Sequence, residues 1–198
     1  MPSMTPMIST ILLADPVITA IANLAYGDID VALRITDSPR AEYSAHCIAV
    51  VDFAYCASPQ YLAKVGTPQD PAQLTAHQCL VNSQLSADNS WHFTSLEKET
   101  WVDVRPAIRA NSSLALLEAT LQGQGVAYLP MYLASPHIRA GKLCRILSNF
   151  SPAPKYNLYA VYFPSRYQNP RVRALIDFLV ASFQGGNPWT IGAREGVQ

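Results

Sequence analysis

Residues 108–130 read IRANSSLALLEATLQGQGVAYLP, a pattern of strand, capped helix and second strand. The first strand ends at Asn111. Asn111, Ser112 and Ser113 offer side-chain oxygens to the unpaired N–H groups that open a helix. Leu114, Leu117 and Leu121 give that helix an apolar stripe. Gly123 or Gly125 ends it, and residues 126–129 form a short buried strand. In a βαβ unit, small polar residues where a strand end meets a helix N-terminus make a seat for a polar or anionic ligand. Ordinary N-capping accounts for the same residues, so a ligand seat needs support from elsewhere in the chain.

Working outward, residues 8–14 read as a strand and Asp15-Pro16 as a cap with proline at the first helical position. The helix runs to Tyr26 with Val17, Ile21, Leu24 and Ala25 inward, and Gly27 closes it. Within IDVALRIT (residues 29–36), Ile29 to Ile35 is the next strand, apolar enough for a sheet covered on both faces. Together these make a βαβ unit with the usual right-handed crossover. Residues 47–51 and 53–57, parted by Asp52, are one long strand or two strands joined at a bend. Ser58-Pro59 and Asp70-Pro71 repeat the cap-and-proline device for two short helices. Residues 79–81, 90–93 and 100–104 are strand candidates. A helix follows over 131–140, with Pro136 as a candidate break, and then a strand over 143–147. SPAP (151–154) reads as a linker. YNLYAVYF (156–163) is a strand, and RVRALIDFLVASF (171–183) is a helix striped by Val172, Leu175, Ile176, Leu179, Val180 and Phe183.

This order predicts an α/β protein of two lobes joined by two crossing strands. Residues 1–48 and 163–190 form lobe I, residues 49–162 form lobe II, and residues 191–198 are a mobile tail. Ligands of such folds bind between lobes, at the carboxyl ends of strands.

Composition narrows the function. Of 198 residues, 49% are hydrophobic, and 14 Lys and Arg balance 14 Asp and Glu for a net charge of zero. No basic run occurs, so the chain is not expected to hold nucleic acid through its own charge. Cys47, Cys56, Cys79 and Cys144 form no CxxC pair and read as buried reduced thiols of a cytoplasmic protein. His46, His77, His92 and His137 have no metal-ligand spacing, so neither metal nor cofactor is expected. The N-terminus lacks a basic signal-type region, and no apolar run reaches the length of a membrane span. No GxSxG, HExxH, P-loop or GxGxxG motif is present, and the GxG in QGQG follows a helix, so no enzyme activity is expected.

IDVALRIT, CASPQYLAKVGTPQDPAQLTAHQCL, RANSSLALLEATLQGQGVAYLP, GKLCRIL, LYAVYFPSR and NPRVRALIDFLVASF occur in the order and spacing of one family. Over residues 8–183 the chain resembles the effector-binding domain of LysR-type transcriptional regulators. The resemblance implies a type 2 periplasmic-binding-protein-like fold of two Rossmann-like lobes. It implies a small-molecule effector in the cleft, lined by Ile35 and Thr36 on one side. Asn111, Ser112 and Ser113 line the other, with Leu129 and Pro130 nearby. A helix N-terminus there suits an anionic effector. The resemblance also implies homodimers or higher oligomers that pair antiparallel, the second strand and first helix of one lobe meeting the other lobe's helix and strand. Nothing matches the family's helix-turn-helix and linker helix, or the first strand and helix of its effector domain. Lobe I is therefore expected to be incomplete, dimerisation to be weakened, and DNA to be bound only through a helix-turn-helix absent from this sequence. A transporter's solute-binding protein shares the architecture but needs a signal peptide. An enzyme on the same fold would need a catalytic motif.

Overall fold

The computed structural model of the protein describes residues 11–14, 29–86, 88–95, 99–153 and 155–184. The helix expected over 16–26, residues 8–10 and the tail beyond 184 lie outside them. The chain divides into two units, one from Met1–Ala49 and Asn157–Gly186, the other centred on Val50–Tyr156.

In the first unit, the apolar run after Asp30 forms β2 (Val31–Thr36), which pairs in parallel with β1 (Ile11–Ala14), Ile11 opposite Val31. Parallel pairing is what the expected βαβ unit requires. Two further strands, β3 (Ser44–Val51) and β12 (Tyr156–Tyr162), complete a sheet of order β1-β2-β12-β3. The β2–β12 pair is antiparallel, with Ala32 opposite Val161. Those two residues are buried, and Ile29, Tyr43, Ala45, Tyr159 and Phe163 pack around them. The closing helix α4 (Pro170–Phe183) starts at Asn169, whose side chain accepts the Arg171 N–H at 3.0 Å, and it buries Val172 and Ile176.

The second unit opens with β4 (Phe53–Ala57), which lies in a different sheet from β3. The two-strand reading of residues 47–57 therefore holds. Ser58 caps α1 (Pro59–Val65) and Asp70 caps a 3-10 turn (Pro71–Ala76), each with proline just inside the start. Then follow β5 (Cys79–Asn82), β6 (Ser90–Thr94), β7 (Glu99–Asp103), β8 (Pro106–Ala110), α2 (Ser113–Leu121), β9 (Val126–Pro130), α3 (Met131–Arg139), β10 (Cys144–Arg145) and β11 (Ser151–Ala153). Strands of order β10-β4-β9-β5-β8 make one sheet, mixed in direction, and β11-β6-β7 make a small antiparallel one.

Alternation along the strands gives the larger sheet two different faces. One carries Ala54, Cys56, Leu80, Ala127 and Leu129, packed under Leu116 and Leu117 of α2 and Met131 and Ala134 of α3. The other carries Phe53, Tyr55 and Tyr128, stacked with one another and with Trp91 and Phe93 of the small sheet.

Three expectations change. The buried side of α2 is Ser113, Leu116, Leu117 and Thr120, while Leu114 is 54% exposed, so the true stripe is rotated away from Leu114. SPAP is not a linker: its first three residues pair with β6 at the edge of the small sheet, where proline's missing N–H costs no ladder bond. The thiols are all free, but Cys47 is exposed and Cys144 half-buried; only Cys56 and Cys79 are buried. Pro136 lies inside α3 without ending it. Among the described residues, no helix is long and apolar enough to cross a membrane.

Candidate functional site

The parallel strands β5 and β8 run side by side, Asn82 opposite Ala110, so both end at one edge of their sheet. The chain leaving β8 passes Asn111 and enters α2 at once. Ser112 is the N-cap: its Oγ accepts the Ala115 N–H at 3.3 Å and its carbonyl accepts the Leu116 N–H at 3.1 Å. Among the described residues, nothing bonds the Ser113 and Leu114 amides, the first two N–H groups of the helix. They coincide with the positive end of the helix dipole.

Ser113 itself is fully buried, and its Oγ accepts a hydrogen bond from Asn82 Nδ2 at 3.2 Å. Asn82 Oδ1 accepts the Gln84 N–H at 2.9 Å, which locks the amide between the two strand ends. Asn82 is the residue that sequence reading missed. Its partner lies 31 positions away, and no local pattern announces such a pair. Of the three predicted polar residues, then, Asn111 is exposed, Ser112 caps and Ser113 braces Asn82.

The remaining predicted residues divide in the same way. Leu129 is fully buried in the core beneath α2, so its side chain is not a lining group. Pro130, also buried, ends β9 and opens α3. In the first unit, Ile35 and Thr36 close β2 and are half-buried. Thr36 Oγ1 accepts the Ser38 N–H at 3.2 Å and donates to the Ser38 carbonyl at 3.1 Å, a local turn.

Titratable groups of the second unit are set for structure. Burial raises the Cys56 and Cys79 thiols to about 12. His77 is depressed below its ordinary value by burial, and its Nδ1 lies 3.2 Å from the Tyr61 hydroxyl.

Comparison with known proteins bears on this arrangement. Residues 6–184 match the family model described as the LysR substrate binding domain. The transcriptional regulator CrgA of Neisseria meningitidis is 32% identical over 158 residues, which is 80% of this chain and 52% of CrgA. The regulator PtxR of Pseudomonas aeruginosa is 32% identical over 192 residues, 96% of this chain and 59% of PtxR. The chain thus spans about half the length of the curated relatives it matches. The solved CrgA regulatory domain superposes with a TM-score of 0.72 at 31% identity, covering 82% of this chain and 79% of that one. Its type 2 periplasmic-binding-like fold is the fold described above. On its sequence and its fold alike, this chain belongs to the LysR substrate-binding domain family, the regulatory domain of LysR-type transcriptional regulators.

Proposed function

We propose that the chain senses a small anionic effector for a transcription regulator, with the ligand's acid group held at the N-terminus of α2. The observation that carries this reading is the pair of amides of Ser113 and Leu114, beside the exposed Asn111 and left unbonded by the cap. Two free donors at the positive end of a helix favour a carboxylate or phosphate over a neutral group. Asn111 supplies a side-chain donor to the same group. Asn82 and Ser113 hold the strand ends at fixed spacing. On the family resemblance, Ile35 and Thr36 also contact the effector, and Pro130 shapes the site while Leu129 supports it from the core. DNA binding belongs to the whole regulator and is carried by a helix-turn-helix outside this sequence, in the cytoplasm.

The domain also self-associates in this reading, through the apolar residues Ile108 and Leu114, which β8 and α2 leave 36% and 54% exposed.

The test is a thermal-shift panel of small carboxylic acids and phosphate esters on the chain and three variants. Asn111→Ala should lower the affinity of any stabilising acid about tenfold with little loss of stability. Ser112→Ala should cost about 1 kcal/mol of stability through the lost cap. Ser113→Ala should cost about 1–3 kcal/mol, since it strands the buried Asn82 amide. An acid that stabilises all four proteins equally would show that the helix end is only a cap.

A further inference from the structure

The two faces of the small sheet meet different surroundings. Trp91 and Phe93 of β6 and Val102 of β7 are buried on the inner face. On the outer face Trp101 stands opposite His92, with Glu99 opposite Thr94 and Asp103 opposite Ser90. Trp101 is 62% exposed, although tryptophan is on average a well-buried residue. Its indole lies flat on the His92 ring, 4.0 Å between centres and 6° between planes. One side of the indole is therefore held, and the other meets solvent.

The carboxylates around that ring have no basic residue among them. Glu99 and Asp103 are exposed and flank Trp101 at two residues on either side, on the same face of β7. Glu99 lies 3.7 Å from His92 Nε2 and keeps 71% of its side chain exposed. Neither β6 nor β7 carries Lys or Arg. An open indole between two carboxylates matches a guanidinium, which stacks on the ring and hydrogen-bonds to carboxylate oxygens. The two carboxylates stand four residues apart, about 13 Å along a strand, too far for one cation to meet both. The matching occupant is a chain segment with arginines at alternate positions. A second copy of this face does not fit, because antiparallel pairing about Trp101 sets Glu99 against Asp103, acid on acid. Nucleic-acid phosphates meet the same repulsion.

We propose that the outer face of the small sheet docks an extended, arginine-bearing segment of another protein. The middle arginine stacks on Trp101, and the arginines two positions before and after it pair with Glu99 and Asp103.

The probe is the end-capped heptapeptide TRTRTRT, titrated into the ¹⁵N-labelled chain at physiological salt. Saturable shifts should centre on residues 99–103 and on the Trp101 indole N–H. TKTKTKT keeps the charge without the planar cation, and TRRRTTT keeps the arginines without the spacing; both should bind several-fold more weakly. Trp101→Ala should weaken TRTRTRT about two- to fivefold, the worth of one exposed cation–π contact. Glu99→Gln and Asp103→Asn should each weaken it about two- to threefold and flatten its salt dependence. All three side chains are exposed, so circular dichroism should be unchanged. The proposal is overturned if TRTRTRT does not saturate, if the shifts map elsewhere, or if the three variants bind it as the parent does. Equal binding of all three peptides would reduce the effect to unspecific charge and overturn it too. So would a dimer in sedimentation that Trp101→Ala dissociates, since the face then belongs to a second copy.

Discussion

Single residues in this chain carry several tasks whose physics can be separated. Tyr61 accepts the Gln78 N–H at 2.8 Å, so its own proton is available for His77 Nδ1 at 3.2 Å. That bond needs a neutral imidazole with Nδ1 as acceptor. Burial already disfavours the imidazolium and lowers the His77 pKa in the folded state below the 6.5 of an unfolded chain. The unfolded chain therefore takes up the proton first, and stability rises with pH across that window. Melting temperature should fall as pH drops through 6.5 toward the lower folded value, then cease to depend on this group below it. His77→Asn keeps a side-chain acceptor without the titration, and its melting temperature should be flatter across the same interval. Equal slopes for the two proteins would remove His77 from the account.

At the scale of elements, what could be read from the sequence was what neighbours decide. The caps at Ser58, Asp70 and Ser112 were legible because a side chain bonds a backbone N–H two or three residues on. The stripe of α2 was misjudged because LALL offers leucines on adjacent faces, and only the sheet beneath selects Leu116 over Leu114. SPAP became a strand because β6 offered it an edge, a fact local composition does not hold. Asn111 to Ser113 were legible as a helix start, whereas the Asn82–Ser113 bond and the ring contacts of Tyr55, Tyr128 and Trp91 are assembled from segments far apart in the chain. The turn between α2 and β9 shows how tight such assembly is. A Cβ on Gly125, at φ +154°, would stand 2.3 Å from the Gln78 carbonyl oxygen, whereas Gly66 at φ +96° has open space around it. The same carbonyl accepts the Val126 N–H at 2.8 Å, so it cannot retreat without losing the start of β9. Gly125→Ala should cost about 3 kcal/mol and Gly66→Ala about 1 kcal/mol, by chemical denaturation. Equal costs would mean that backbone strain alone matters and the contact with Gln78 does not.

For the molecule as a whole, the open question with the sharpest physical handle is how copies of it meet. A net charge of zero leaves no long-range repulsion to hold two chains apart. Strand β8 is the edge of its sheet and β1 ends the other among the described residues, so each presents backbone groups that a second chain can pair. Ile108 on β8 and Leu114 on α2 add exposed apolar area to one of those edges, whereas Phe178, 67% exposed, lies on α4 in the other unit. Edge pairing reinforced by apolar contact predicts a discrete dimer rather than open aggregation, because a two-fold interface closes on itself. Sedimentation velocity across a concentration series should show a monomer–dimer equilibrium. Ile108→Glu with Leu114→Glu should shift it to monomer without altering the circular dichroism, since both side chains already face solvent in the single chain. Phe178→Glu separates the two units' contributions: if it dissociates the dimer equally, both faces are engaged at once, as an antiparallel pairing requires. A parent chain that stays monomeric at every concentration would leave these residues as ordinary exposed apolar surface and would remove self-association from the domain's role.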